Sequence, residues 1–191
     1  MSHPIMIIGK IDSGKTTLAK YFTNHGYTEH TFADPIKQFA VSIGFEQHEV
    51  FGTQEEKLMV NKTYNISGRE FLQKFGTDVC REKLTQSIPN MNLNGLGLWA
   101  RVMEAKLQKN TKIVISDGRF EDEAELVKKY NGVIIRIHRE CDSDYGGHSA
   151  QIEKHVSEVA MDNITADIII NNSGTLDDLR IIVNNIMKEL S

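Results

Sequence analysis

One eight-residue run constrains this chain more than any other. Gly9-Lys10-Ile11-Asp12-Ser13-Gly14-Lys15-Thr16 reads G-x-x-x-x-G-K-T without a gap. The glycines permit a tight turn in which successive backbone N–H groups point inward. The helix that follows adds the positive end of its dipole. Together these make a site for a chain of phosphates, with Lys15 neutralising the β- and γ-phosphates of a nucleoside triphosphate and the Thr16 hydroxyl as the Mg²⁺ ligand. Gly9, Lys10, Asp12, Ser13, Gly14, Lys15, Thr16 and Thr17 are the expected donor-contacting residues. The apolar run Ile5 to Ile8 precedes the loop and a helical pattern follows it, which is the context this motif requires.

Bulk properties narrow the setting. The chain has 191 residues, enough for one α/β domain with a core and short for two. Its formal net charge is −4, so no basic surplus points to a nucleic-acid partner. Two cysteines, Cys80 and Cys141, cannot form a disulfide scaffold and fit a reducing compartment. No stretch approaches 18 apolar residues, so no membrane association is expected. The reading is a soluble cytoplasmic protein (host cytoplasm for a viral source), and the N-x-S/T triplets at Asn61, Asn65, Asn163 and Asn171 are then chance matches.

Apolar runs of strand length recur at Ile5–Ile8, Lys112–Ser116, Val133–His138 and Ala166–Asn171, with a weaker one over Tyr27–Phe32. Near-continuous β-branched runs suit strands buried on both faces. Helical patterns lie between them: Gly14 to about His25, Leu98–Lys109, Glu121–Tyr130 ending at Asn131-Gly132, and a last one carrying Leu176, Leu179, Ile182, Val183, Ile186, Met187 and Leu190. Another starts at Ser67 with a capping box to Glu70, its apolar positions being Phe71, Leu72, Phe75, Val79 and Leu84. Strand and helix alternating over a single domain predict an α/β, three-layer phosphate-loop NTPase fold. It would have a parallel sheet with helices on both faces, and the polar segment Glu140 to Gln151, holding Gly146-Gly147 between a strand and a helix, reads as a mobile lid.

Other phosphate-loop classes fit less well. A guanine-specific switch needs N-K-x-D, and Asn61-Lys62-Thr63-Tyr64 has a tyrosine where the carboxylate belongs. Asp144-Tyr145-Gly146-Gly147 reads D-x-x-G without a preceding strand. Cys141, His148 and His155 match no familiar zinc spacing. A short core with scattered arginines suits a small-molecule kinase.

Three runs make the reading more specific. Phe32-Ala33-Asp34-Pro35-Ile36-Lys37, Gly68-Arg69-Glu70-Phe71-Leu72-Gln73-Lys74-Phe75-Gly76-Thr77-Asp78 and Ile115-Ser116-Asp117-Gly118-Arg119-Phe120 occur in that order, with Trp99 before the third. This order, and the tail from Asp167 to Leu176, resembles the deoxynucleoside monophosphate kinases of phages and large DNA viruses. The resemblance runs from about Ile5 to Leu179. It implies transfer of the γ-phosphoryl group of ATP, with Mg²⁺, to a deoxynucleoside monophosphate, giving a diphosphate and ADP. A kinase of another phosphorylated metabolite, such as phosphomevalonate, and a nucleotide-binding regulatory protein remain alternatives. A homodimer stays open, since the hydrophobic pattern does not separate core from a dimer patch.

Asp117 ends a strong strand, where a carboxylate reaches Mg²⁺ or caps the next helix; Arg119 follows at the same sheet edge. By the resemblance, Asp34 and Lys37 belong to the acceptor site, although Asp34 also suits a helix N-cap with Pro35 behind it. Arg69 and Arg81 lie twelve residues apart on one predicted helix, with Gly76 and Thr77 between them, and suit an anionic acceptor phosphate. Related chains often carry two adjacent arginines where this one has Gly68-Arg69. The acceptor region is expected over about 34–88 and the lid over about 139–151. Of Arg136 and Arg139, Arg139 stands nearer the lid and is expected to stabilise charge on the transferring group. Asn172 ends the last strand, in a loop that in related kinases passes near the donor base. Trp99 is assigned to packing.

Overall fold

The computed structural model describes residues 2–93, 95–139 and 160–190. In chain order, strands β1 (Ile5–Ile8) and β2 (Thr28–His30) flank helix α1 (Lys15–Thr23). Helices α2 (Asp34–Ser42), α3 (Gln47–Phe51) and α4 (Gln54–Leu58) precede the short strands β3 (Val60–Asn61) and β4 (Ile66–Ser67). A helical stretch then runs from α5 (Gly68–Gln73) through a π-helix (Lys74–Lys83) into α6 (Leu84–Ser87). Next come α7 (Leu98–Leu107), β5 (Ile113–Ile115), α8 (Glu121–Lys129) and β6 (Val133–His138). A 3₁₀ turn (Ala160–Asn163), β7 (Ile168–Asn171) and α9 (Leu176–Glu189) complete the described elements. The backbone divides into two compact units, residues 1–31 with 102–191, and residues 32–101. The segment 34–88 lies inside the second.

The first unit is built on a parallel sheet in the order β2-β5-β1-β6-β7. All four β1 side chains are fully buried, as a strand covered on both faces requires. Successive strand residues point to opposite faces. Ile5 and Ile7 join Leu18, Ala19 and Phe22 of α1 and Leu179, Val183 and Ile186 of α9 in one cluster. Met6 and Ile8 turn the other way, and α8 packs against β1 and β6. Each fully buried Leu, Ile or Phe contributes roughly 1.5–3 kcal/mol relative to exposure, so this central strand anchors the unit.

The expected strands are present; β1 and β6 have the expected bounds, and β2, β5 and β7 are shorter. Ala166 and Asp167 fall outside β7 because Asp167 has another task. Its carboxylate accepts from the Ile134 N–H at 2.7 Å and pairs with Lys128. Partial burial alone would push this carboxyl up; the Ile134 N–H and the Lys128 ammonium outweigh it and hold the group below its ordinary value. At the end of α8 it is Asn131 that takes the left-handed conformation, at φ 56°. Gly132 serves close packing: a Cβ there would stand 2.7 Å from the Pro4 carbonyl oxygen.

The second unit departs further from expectation. The helix starting at Ser67 is not one α-helix. Ser67 Oγ accepts from the Glu70 N–H at 3.2 Å, while the Glu70 carboxylate pairs with Lys74 at 2.6 Å. From Lys74 the helix continues in π form, whose i→i+5 bonding changes the repeat. Val79, expected in the apolar stripe, is 41% exposed, and the α-helical repeat assumed between Arg69 and Arg81 does not hold. Sequence periodicity missed α3, α4 and the β3–β4 pair, each too short to show a period. Their core is Ala40, Phe45 and Val50, with Phe71 tilted against Phe45 (4.8 Å) and stacked on Phe75 (5.3 Å). Trp99 Nε1 donates to the Gly76 carbonyl at 2.9 Å, so this ring packs and also anchors the π-helix.

Replacing Asp167 by Ala is expected to lower stability by about 1 kcal/mol at neutral pH in urea unfolding. Because the folded-state pKa is lowered, the wild-type advantage is present above the unfolded carboxylate range. It is lost as pH falls through the folded value. Unfolding curves at several acidic pH values, with the two proteins converging, check this.

Candidate active site

Six residues carry the chain from the end of β1 to the start of α1. Gly9 has φ 155° and lies against Ile137 of β6; a Cβ there would overlap the Ile137 carbonyl oxygen. Asp12 takes a left-handed conformation at φ 61°, and Gly14 does so at φ 101°. Asn172, just past β7, donates from Nδ2 to the Ser13 carbonyl at 2.9 Å, and its own N–H donates to the His138 carbonyl at 2.6 Å. Strand β6 therefore supports Gly9 from behind, and the residue after β7 fixes Ser13.

The loop leaves donors available at a helix start. No acidic side chain stands in the first turn of α1, and no side chain caps it. Ser13 Oγ is buried, with no hydrogen-bond partner among the described residues. Lys15 Nζ donates to the carbonyls of Gly9 and Lys10, both at 2.6 Å, which holds its ammonium along the loop. Thr16 and Thr17 lie in the first turn of α1. An anion fits this cradle: backbone donors, a helix dipole, a buried orphan hydroxyl and a cation converge.

Beside the loop lies a cavity of about 530 Å³ lined by Lys10, His138, Arg139, Asn171, Asn172 and Ser173. Its size is that of a small-ligand pocket. Arg139 belongs to it and Arg136 does not. Arg136 Nη2 donates to the carbonyls of Met161 and Ile164 at 2.8 and 2.7 Å, a structural role. The rest of the expected lid, 140–151, lies outside the described residues, as do Asp144 to Gly147, Cys141, His148 and His155.

On the other side of β1, β5 leads into Asp117, Gly118 and Arg119. A Cβ on Gly118 would stand 2.6 Å from Met6 Cγ, so the backbone here runs close along β1. The helix-cap alternative for Asp117 falls away. Helix α8 begins at Glu121, and it is the Glu123 carboxylate that accepts from the Arg119 and Phe120 N–H groups, at 2.8 and 3.1 Å. Among the described residues no cluster of three His, Cys, Asp or Glu could hold a metal. A hydroxyl and one carboxylate match Mg²⁺, which keeps waters and phosphate oxygens in preference to a protein cage.

The second unit holds the remaining expected residues. Asp34 is inside the first turn of α2, behind Ala33 at the cap, so it is not the N-cap. Lys37 lies over the Phe51 ring at 5.4 Å. Arg69 Nη1 donates to Gln54 Oε1 at 2.7 Å. Gly76 and Thr77 are buried in the π-helix, which also carries Arg81. Gly68 is fixed by packing, since a side chain there would overlap the Glu49 carbonyl of α3; a second arginine has no room. Sequence reasoning missed Lys57 on α4. Burial pushes its ammonium pKa down, and the Lys37 and Arg69 charges push it further. Only folding brings these three together, so spacing carried no signal of it.

A family model described as deoxynucleotide monophosphate kinase matches residues 44–183. The chain belongs to that family. Its sequence is 32% identical over 182 residues to a protein of Acanthamoeba polyphaga mimivirus provisionally named a deoxynucleotide monophosphate kinase, covering 91% of this chain and 90% of that one. Among solved structures, the Campylobacter jejuni dephospho-CoA kinase superposes with a TM-score of 0.52 at 17% identity, covering 100% of this chain and 98% of that one. Thermus thermophilus TT1252 does so at 0.54 and 15%, with the same coverage. At such identities these two show the fold alone: the kinase has a phosphate-loop kinase fold. Asn61, in the run already set aside as a guanine motif, has a local job. Its Oδ1 accepts from the Thr63 and Tyr64 N–H groups and its Nδ2 donates to Glu49 at 2.7 Å. No described helix is long and apolar enough to cross a membrane.

Gly9→Ala is expected to unfold at a lower temperature than the wild type, by a margin equivalent to roughly 2 kcal/mol. The new Cβ meets rigid backbone of β6 and cannot turn aside. Calorimetric melting of the two proteins measures it.

Proposed function

We propose that this kinase transfers the γ-phosphoryl group of ATP to a deoxynucleoside monophosphate, releasing ADP and the deoxynucleoside diphosphate. The observation that supports it most is the loop from Gly9 to Thr16, with its buried Ser13 hydroxyl and its Lys15 ammonium held at 2.6 Å to Gly9 and Lys10, beside the polar cavity at Arg139. The loop takes the triphosphate of the donor and the cavity takes its nucleoside. Asn172 positions the loop and lines that cavity. The acceptor residues are assigned to the second unit: Asp34, Lys37, Arg69, Gly76, Thr77 and Arg81. Arg119, in the first unit, is proposed as a further phosphate contact. The family supports a nucleotide acceptor, and the name of the mimivirus relative favours a deoxynucleotide.

The transfer needs no covalent enzyme intermediate. An acceptor phosphate oxygen, already anionic near neutral pH, attacks the γ-phosphorus in line. The bond to the β–γ bridging oxygen breaks, and ADP keeps that electron pair. No strong general base is required, so the protein's contribution is positioning and charge neutralisation. Lys15 and Arg139 face the charge that develops on the transferring group. Thr16 and Asp117 would hold Mg²⁺, which when bound screens the phosphate charges. The substrates are small molecules, and neither nucleic acid nor a membrane enters the reaction.

Incubating the protein with Mg-ATP and each of the four deoxynucleoside monophosphates, the ribonucleotides and phosphomevalonate, and measuring ADP, tests the reading. ADP formation driven by a deoxynucleotide is expected. Release that ignores every acceptor, or that answers only to phosphomevalonate, overturns it. Lys15→Ala is expected to lose at least about a thousandfold in turnover while its circular dichroism stays that of the wild type, because the substitution removes transition-state charge stabilisation and no core contact.

A further inference from the structure

Among the described residues of the second unit, three cations come from three separate helices: Lys37 from α2, Lys57 from α4 and Arg69 from α5. Local contacts tie them together. Arg69 Nη1 holds Gln54 Oε1 at 2.7 Å, and Gln54 stands one turn before Lys57 on the same short helix. Lys37 Nζ lies 5.4 Å over the ring of Phe51, the last residue of α3, and α3 packs on both α2 and α4. Lys57 is partly buried. The adjacent carboxylate of Glu56 is already engaged, accepting from the Thr53 N–H at 2.6 Å.

A partly buried ammonium that feels two like charges opposes folding. Its cost shows in the direction of its pKa, which burial, Lys37 and Arg69 lower more than Glu56 raises. A dianionic phosphate among them offsets the repulsion, since each cation then has an opposite charge at close range.

We infer that Lys57 is a further acceptor-binding residue, which with Lys37 and Arg69 grips the phosphate of the incoming nucleoside monophosphate. The inference rests on the acceptor reading above and adds to it a side chain from α4. Lys57 recognises phosphate, not base or sugar, so its effect is the same for every acceptor the enzyme uses.

Lys57→Met keeps most of the side-chain stem and removes the charge. Without ligand this variant is expected to melt at or above the wild-type temperature, because a repulsion is gone. Millimolar inorganic phosphate is expected to raise the melting temperature of the wild type and to raise that of the variant less. In the acceptor panel KM for the preferred deoxynucleotide is expected to rise about tenfold or more, with KM for ATP unchanged. Lys57→Arg is expected to recover most of the loss. An acceptor KM within twofold of wild type, with the phosphate response intact, overturns the inference and leaves the kinase reading standing. A variant that melts several degrees lower, with no change in phosphate response, also overturns it by assigning Lys57 to structure. If wild type turns over no acceptor while its phosphate response depends on Lys57, the anion site stands and the acceptor reading falls.

Discussion

The first unit depends on one constraint: the chain must leave a fully buried strand and enter a helix while keeping its backbone amides directed inward. Between Ile8 and Lys15 this demands positive φ at Gly9, Asp12 and Gly14, and such conformations persist only when the surroundings fix them. Here they are fixed by Ile137 behind Gly9 and by the Asn172 amide on the Ser13 carbonyl. Strand order supplies both supports. With β6 beside β1 and β7 beside β6, the ends of those strands arrive at the loop. The order of the sheet and the shape of the anion site are therefore one requirement seen at two scales.

The same economy explains which arginine is available for chemistry. Arg136 and Arg139 lie three residues apart, one within β6 and one just past it. Arg136 is engaged by the Met161 and Ile164 carbonyls and closes the turn before β7. Arg139 stands past the strand end, in the cavity wall. A strand end is where a side chain stops belonging to the sheet and can belong to a ligand, and Asp117 after β5 and Asn172 after β7 stand at such ends.

The second unit follows a different rule. Its core is small and aromatic, with rings from α2, α5 and the π-helix stacked on one another and a ring from the α3 approach tilted against them. Rings of this size let short helices of five residues hold position without long hydrophobic stripes. The π-helix buries Gly76 and Thr77 and is held by Trp99, so the run F-G-T-D is a backbone irregularity with a fixed anchor. Irregular helices are often found at functional sites, in keeping with the acceptor role proposed for this segment.

The sequence by itself determined the first unit: four apolar runs, the loop motif and the helix punctuation at Asn131-Gly132 were legible because each rests on local chemistry or a repeat of fixed period. It also indicated the family, through runs whose residue types recur in order. It misread what depends on neighbours distant in the chain. Asn61-Lys62 already failed as a guanine motif because Tyr64 stands where the carboxylate belongs, but only the fold shows what Asn61 does, its amide engaging Glu49 and its own turn. The helix after Ser67 looked α-helical because propensity does not register a switch to i→i+5 bonding; Gly76 within it packs against Ile36 and accepts from Trp99. Gly68 looked like a lost phosphate contact and proves to be a place where backbone meets backbone. Lys57 carried no signal, since a surface lysine and a lysine among cations read alike until three helices are brought together. What is local in the chain could be read from it; what is electrostatic and shared between helices was decided by tertiary structure alone.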